Sequence, residues 1–309
     1  MIDVPLLILV VGPTGSGKTD LAVALAQRLD TEVVSADSRQ CYKEMAVGSA
    51  APGPEQCRGI VHHFVGDRSV HRHLSAGQFE VEALQTLEGI WQRRPAAILC
   101  GGAGLFIRAL VEGLDELGPE NQDGRAYWTQ YHADHGLQGL RDALVARDPR
   151  YAASTDLSNH QRMIRALEIM DRSGKPLSSM QTRTARIRPF RCLWIGLSPD
   201  RDLLYQRINH RVEAMDQAGL EAEALALFPW GGLKACQSPG YQEWEAYWAG
   251  TIGRASCLDL IRQHSRHYAR RQLTWFRRNT HIHWIPPSIL ECEARLDWCL
   301  SQFGPDFAF

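Results

Sequence analysis

Residues 10–19 read VVGPTGSGKT, and this stretch decides the fold. It satisfies the pattern G-x-x-x-x-G-K-[ST] in full at Gly12, Gly17, Lys18 and Thr19, directly after the apolar run LLILVV. That run has the length of a buried strand, and LAVALAQRL after the loop has the spacing of an amphipathic helix. Gly12, Pro13, Thr14, Gly15, Ser16, Gly17, Lys18 and Thr19 therefore form a phosphate-binding loop between strand and helix. The amides from Gly15 to Thr19 and the helix N-terminus face a multiply charged anion, Lys18 adds a point charge, and the Thr19 hydroxyl is available to Mg2+. These residues specify phosphates, not a base.

Outward from the loop, short apolar segments recur with helical stretches between them: EVVSAD (32–37), AAILCGG (96–102), CLWIGL (192–197) and HIHWI (281–285). Continuous apolar strands separated by amphipathic helices imply a parallel sheet covered on both faces, an α/β doubly wound core. Ligands of such sheets bind at the carboxyl ends of the strands, where Gly12, Asp37 and Gly101 fall. An ATPase or GTPase normally places a metal-holding acid at the end of a second apolar strand. Here AAILC runs into Gly101 and Gly102, and the carboxylate sits instead in SADSRQCY, as Asp37. Asp37 can accept a proton or hold Mg2+ through water, and the sequence does not choose between the two.

The chain has 309 residues, 44% hydrophobic and 22% charged, with a formal net charge of −1. Nucleic-acid binding could not come from the chain as a whole and would need a local basic surface. The longest apolar stretch near the start has no basic flank, so neither a secretory signal nor a membrane span is expected, and the protein reads as cytoplasmic. Cys41, Cys57, Cys100, Cys192, Cys236, Cys257, Cys292 and Cys299 contain no C-x-x-C pair, which argues against a zinc ribbon, a redox motif or a disulfide framework. His62, His63, His71 and His73 cluster without thiolates or an H-E-x-x-H arrangement, so a loop of solvated or hydrogen-bonded histidines is expected, with no zinc. No heptad or exposed apolar stripe demands a partner copy, and a monomer is expected.

Between residues 115 and 190 the pattern changes to helix-favouring runs, GLQGLRDALVARD (136–148) and NHQRMIRALEIMDRSG (159–174), with no strand-like segment. A helical insertion carried on the sheet domain fits this switch, leaving 1–114 and 191–309 as the core. In DRDLLYQRINHRVEAMDQAG (200–219), Leu204, Ile208, Val212 and Met215 form an apolar stripe with Arg207 and Arg211 beside it. Those two guanidinium groups suit an anionic ligand or a solvated edge paired with acidic residues. The segment IRQHSRHYARRQLTWFRR (261–278) has six arginines and no acidic residue. Arg266, Arg270 and Arg277 fall close to one helix face, while Leu273, Trp275 and Phe276 are what a sheet-covering helix would bury.

GPTGSGKTDLA, SADSRQCYKEMAVGSAAP, HHFV, SAGQFEVEA and GGAGLFIRALVEG follow one another in an order and spacing that resembles the tRNA dimethylallyltransferases (tRNA isopentenyltransferases) of bacterial type. The resemblance continues through NHQRMIRALEIMDRSGKPLSSMQ, DRDLLYQRINHRVEAMDQAGL, SPGYQEWEAYWAG and HSRHYARRQLTWFRR, and covers nearly the whole chain. It implies a P-loop NTPase-like parallel sheet flanked by helices, with an all-helical insertion that grips the tRNA anticodon stem-loop. It also implies transfer of a dimethylallyl group from dimethylallyl diphosphate to N6 of the adenosine 3′-adjacent to the anticodon, with Mg2+ as cofactor.

On that resemblance Asp37 takes the proton from N6, a weak nucleophile conjugated into the ring. Lys18, the loop amides, Mg2+ at Thr19 and, by family match, Arg211 stabilise the departing diphosphate. Ser38, Gln40 and Tyr42 match positions lining the adenosine side, and Arg266 and Arg270 are expected to contact tRNA. Gln161, Arg162 and Arg165 share a face of the inserted helix, where they contact phosphate or pair with acidic residues.

The chain departs from the family's Gly-Gly-Thr-Gly-Leu-Tyr turn at Ala103 and Phe106, which removes two hydroxyls. The loss of the threonine hydroxyl at position 103 would cost about 1–3 kcal/mol at the reacting centre. The acidic pattern after the histidine pair is also shifted, to HHFVGDRS with Asp67. Two alternatives stand beside the transferase: a nucleotide-binding (ATP-binding) P-loop kinase of a small molecule, and a tRNA-binding paralogue with weakened catalysis.

Overall fold

The computed structural model describes residues 4–118, 121–182, 184–230, 232–233 and 235–287. The chain forms β1 (Leu6–Val11), α1 (Lys18–Arg28), β2 (Val33–Ala36), α2 (Pro54–Cys57), β3 (His62–His63), α3 (Ala76–Trp91), β4 (Ala96–Gly101) and α4 (Gly104–Glu112). Helices α5 (Gln122–Arg147), α6 (Pro149–Ser154), α7 (His160–Ser173) and α8 (Leu177–Met180) follow. The chain then returns to the sheet with β5 (Arg191–Leu197), α9 (Arg201–Gln217), α10 (Leu220–Leu227), α11 (Trp244–Trp248), α12 (Arg254–Phe276) and β6 (His283–Ile285). Two compact units result, 1–111 with 187–309 and, separately, 112–186.

The first unit carries a six-stranded sheet in the order β3-β2-β4-β1-β5-β6, with every pairing parallel. All six residues of β1 are buried, because helices cover both faces and each strand can be apolar throughout. Leu6, Ile8 and Val10 of β1 pack with Leu21, Ala22 and Leu25 of α1 and with Ile98 and Ile195. Each such aliphatic side chain contributes about 1.5–3 kcal/mol on burial. Val11 pairs with Gly101, and Gly101 pairs with Ala36, so β1, β2 and β4 end at one level. Gly12, Asp37 and Gly102 follow those ends directly, and the sheet itself brings the phosphate loop and the carboxylate together.

One expectation is corrected here. His62 and His63 form β3, the edge strand of the sheet, rather than part of a loop. Their register with Val33 and Val34 is fixed by main-chain pairing that no side-chain pattern announces. Polar residues on a very short edge also protect it from further pairing. The ring of His63 meets Glu32 at 2.7 Å, and His62 Nδ1 lies 2.9 Å from the Ile60 carbonyl. Among the described residues no group of three or more His, Cys, Asp or Glu could hold a metal ion. Cys41, Cys57, Cys100, Cys192, Cys236 and Cys257 are free thiols, and Cys292 and Cys299 lie outside the described residues. Among the described residues no helix is long and apolar enough to cross a membrane.

Among its described residues the second unit carries helices and no strand. Trp128, Leu140 and Leu144 of α5 pack against Met163, Ile164, Leu167 and Met170 of α7. Asn121, Asp148 and Asn159 cap α5, α6 and α7 by accepting from the backbone N–H of Gly124, Tyr151 and Arg162. Gly136 (φ 66°, ψ −170°) interrupts α5.

Candidate active site

The phosphate loop leads from Gly12 to the first turn of α1, whose N-cap is Gly17. Gly12 holds φ +147°, and a Cβ there would come within 2.8 Å of the Leu197 carbonyl oxygen, so no other residue fits this turn. The free N–H groups at the start of α1 give the loop its positive end. Lys18 Nζ donates to the Pro13 carbonyl at 2.6 Å, arching over the loop. Burial pushes its pKa down to about 8; Arg211 adds to the depression, while Cys100 and Asp37 oppose it. Burial likewise pushes the Cys100 thiol up to about 12, so it stays protonated.

Asp37 is the first residue after β2. Its Oδ1 accepts from the backbone N–H of Arg39 at 2.9 Å and of Gln40 at 3.4 Å, a turn that fixes the carboxylate. Its Oδ2 has no protein hydrogen-bond partner among the described residues. Arg211, on α9, donates to the Ser49 carbonyl at 2.8 Å, and Arg207, one turn earlier, reaches the Ser16 carbonyl at 3.5 Å. Burial pulls the Arg211 pKa down, and the Asp37 charge opposes that fall. Both guanidinium groups are held by neutral carbonyls, so their charge is available to an anion.

Two cavities meet here. The larger, about 790 Å3, is lined by Thr14 to Asp20, Asp37, Gln40, Cys100, Arg207 and Arg211. The smaller, about 210 Å3, is lined by Ser38, Arg39, Gly48, Ser49, Tyr241, Tyr268 and Arg271. Thr14, Asp37, Arg211 and Met215 belong to both walls. A carboxylate and an arginine thus stand between the chamber lined by the glycine-rich loop and a second chamber bordered by Tyr268, whose hydroxyl pKa burial pushes up to about 12.

The residues singled out in the sequence fall in different places. Ser38 lines the smaller cavity. Gln40 lines the larger, where its amide is engaged with the Ser35 hydroxyl and the Ala50 carbonyl, each at 3.2 Å. Tyr42 is only 1% exposed, and its hydroxyl accepts from the Leu74 N–H at 3.1 Å, so it packs in the core instead of lining either cavity. Ala103 borders neither cavity; its N–H donates to the Ala36 carbonyl at 3.1 Å, beside Asp37. Phe106 is buried and stacks on Phe79 with ring centroids 4.7 Å apart, a setting that a phenyl ring fills without a hydroxyl. Asp67 pairs with Arg68 at 3.0 Å, away from both cavities.

Of the expected basic surface, Arg266 donates to Asn209 at 2.8 Å and lies over the Tyr205 ring, while Arg270 is exposed in a shallow groove with His267, Trp275 and Arg278. In the helical unit Gln161 and Arg162 are exposed, and Arg125 donates to Gln161 at 2.7 Å. Arg165 is paired at 2.5 Å with the buried carboxylate of Glu168 and also donates to the Gly118 carbonyl. Of the two fates left open for Arg165, pairing with a core acid is the one observed.

Gln272 went unnoticed in the sequence. Buried on α12, it accepts from the Thr14 N–H at 2.9 Å and donates to the Gly102 carbonyl at 3.0 Å, joining the phosphate loop to the end of β4. The signal was a polar residue one turn from Phe276 and from Ala269, on the face that the helix buries.

Sheet, loop and arginines define a P-loop NTPase-like α/β protein with a carboxylate and an arginine between two adjoining chambers. The family model of the IPP transferases (IPPT) matches residues 40–279. The chain is 41% identical, over 91% of its length and 94% of the relative's, to tRNA dimethylallyltransferase 2 of Porphyromonas gingivalis. The crystal structure of tRNA delta(2)-isopentenylpyrophosphate transferase from Staphylococcus epidermidis is similar at TM-score 0.68 and 31% identity, covering 97% of this chain and 98% of that one. A eukaryotic dimethylallyltransferase acting on tRNA shares the fold at TM-score 0.78 and 22% identity, covering 96% and 79%. The chain belongs to the IPP transferase family, a family of prenyltransferases.

Proposed function

We propose that this protein transfers a dimethylallyl group from dimethylallyl diphosphate to N6 of the adenosine 3′-adjacent to the anticodon in tRNA. The observation that carries this reading is the pair of cavities with Asp37 and Arg211 in their common wall. The diphosphate lies on the amides from Gly15 to Thr19 with Lys18 and Arg211 around it, and the adenine enters the smaller chamber past Tyr268. An N6–carbon bond forms as the allylic carbon–oxygen bond breaks. The N6 proton passes to Asp37 Oδ2, and the electron pair leaves with the diphosphate. Donors already in place where that charge gathers lower the barrier most, because they need no reorganisation.

The Thr19 hydroxyl on the larger cavity suits a hard cation completed by substrate phosphates, and Cys100 remains a thiol. Thr19, together with oxygens of the substrate diphosphate, would hold Mg2+, which supplies charge neutralisation of the diphosphate when bound, while Asp37 stays the base. A target base must leave its stack to reach such a chamber. The exposed Arg270 and the Arg266 beside it, with Gln161 and Arg162 of the helical unit, are the proposed tRNA contacts.

Incubation with unmodified tRNA, Mg2+ and dimethylallyl diphosphate, followed by mass spectrometry of the nucleosides, tests the reading. Prenylated adenosine is expected. Retained tRNA binding with no prenylated adenosine would replace it with a binding role, and ATP-dependent phosphorylation of a small molecule would replace it with a kinase.

A further inference from the structure

Arg211 owes its position to the loop it grips, and that loop is held from the other side by a carboxylate outside both cavities. Glu223, on α10, accepts from the Val47 N–H at 2.8 Å through Oε2 and from the Gly48 N–H at 2.8 Å through Oε1. The Tyr241 hydroxyl donates to the same Oε1 at 2.7 Å. The next residue, Ser49, offers the carbonyl that accepts from Arg211. Val47 lines the larger cavity, and Gly48 and Ser49 line the smaller.

We propose that Glu223 is a positioning residue for Arg211: it fixes the 47–49 segment so that the Ser49 carbonyl aims the guanidinium at the diphosphate. The inference rests on the reading of Arg211 as a diphosphate ligand. Three features support it. Glu221, two residues earlier on the same helix, is paired with Arg254 at 2.9 Å, as a carboxylate that merely joins helices would be. Among the described residues Glu223 instead meets only neutral donors, two of them consecutive backbone N–H groups. A carboxylate accepts both in parallel, whereas an amide has one acceptor oxygen and turns an NH2 group toward the second N–H. Finally, position 48 has no room for a side chain, since a Cβ there would strike the Tyr241 ring, so the segment is packed against its clamp. The Ser49 carbonyl in turn orients Arg211 without pairing it to a carboxylate.

The test is a double-mutant cycle on the full-length protein, read by pyrophosphate affinity in calorimetry and by kcat and KM for prenyl transfer. Glu223→Gln is expected to weaken pyrophosphate binding about tenfold and to lower kcat by a similar factor, with KM for tRNA unchanged. In an Arg211→Ala background the same substitution is expected to change either quantity less than about twofold. Tyr241→Phe removes one of the three hydrogen bonds and serves as the milder variant should Glu223→Gln fail to fold. It is expected to weaken pyrophosphate binding about threefold, again only when Arg211 is present. Equal losses with and without Arg211, or unchanged pyrophosphate affinity in folded variants, would overturn the proposal. Pyrophosphate binding is measured without turnover, so a failure of prenyl transfer itself is recognised separately.

Discussion

Two arginines on helices of the two units, Arg211 and Arg165, look alike in sequence and meet opposite partners. Arg211, in the sheet unit, is held by the neutral Ser49 carbonyl with Asp37 nearby, while Arg165, in the helical unit, is paired with the buried Glu168. Arg188 with Glu80 at 2.6 Å, and Arg254 with Asp216 at 2.6 Å, follow the Arg165 pattern. Arg207 with Ser16 and Arg266 with Asn209 follow the Arg211 pattern. A guanidinium held by carbonyl or amide oxygens keeps its field, because a dipole orients it without cancelling its charge. One bound to a carboxylate is already neutralised and serves the fold. The partner's charge, not the arginine, separates a ligand site from a structural link.

The contrast is broken most sharply by substituting the two residues in parallel. Arg211→Ala is expected to lower kcat by about 10²–10³ and to weaken pyrophosphate binding, with little change in the thermal midpoint. Arg165→Ala leaves the buried Glu168 carboxylate without its counter-charge, with the Asn121 N–H still donating to it, which costs about 3 kcal/mol of stability, and is expected to leave pyrophosphate affinity unchanged. Calorimetric titration and thermal unfolding of both variants check the pair, and a loss of pyrophosphate binding in Arg165→Ala would remove the distinction.

A smaller effect sharpens the picture at Lys18, whose pKa in the free protein is pulled down to about 8 from 10.5 by burial. A bound diphosphate brings negative charge and raises that pKa, so the protonated lysine is the binding form. The lysine's contribution to affinity is therefore expected to be level below pH 8 and to fall by up to about tenfold per unit above it, until the pKa of the complex is reached. In Lys18→Met the break near pH 8 should vanish while the ligand's own ionisation remains. A wild-type profile identical to that of the variant would contradict the assignment.

Much of this site was legible because its chemistry is local. Gly12 to Thr19 lie in one stretch, and Asp37 directly follows the apolar run of β2, so motif and apolar runs placed both at carboxyl ends of strands, with β4 lying between β1 and β2. The edge strand at His62 and His63 was not legible, since a two-residue strand exists only through pairing with β2. Gln272 was hidden for a related reason: it reaches Thr14 across 258 positions of chain, and among six arginines it looked like another solvated side chain. Glu223 looked like one of the two acids of α10, and the backbone N–H groups facing it set it apart. Tyr42 erred in the other direction, a site-like residue by its neighbours in sequence and a core residue by its burial.

The smallest effect expected is at Ala103, whose backbone N–H donates to the Ala36 carbonyl just before Asp37. Ala103→Thr adds one hydroxyl near that turn and is expected to leave kcat unchanged or raise it by at most about tenfold. Steady-state rates decide, and a marked loss of activity would show that this chain has repacked around the alanine.

In the proposed reaction the phosphate loop holds an allylic diphosphate while Asp37 takes the proton from the accepting nitrogen. Asp37→Ala, assayed side by side for prenylated adenosine and for pyrophosphate affinity, tests it most directly. The expected result is a fall in transfer of about 10²–10⁴ with pyrophosphate affinity held within about threefold. Transfer at the wild-type rate in the folded variant would contradict the account.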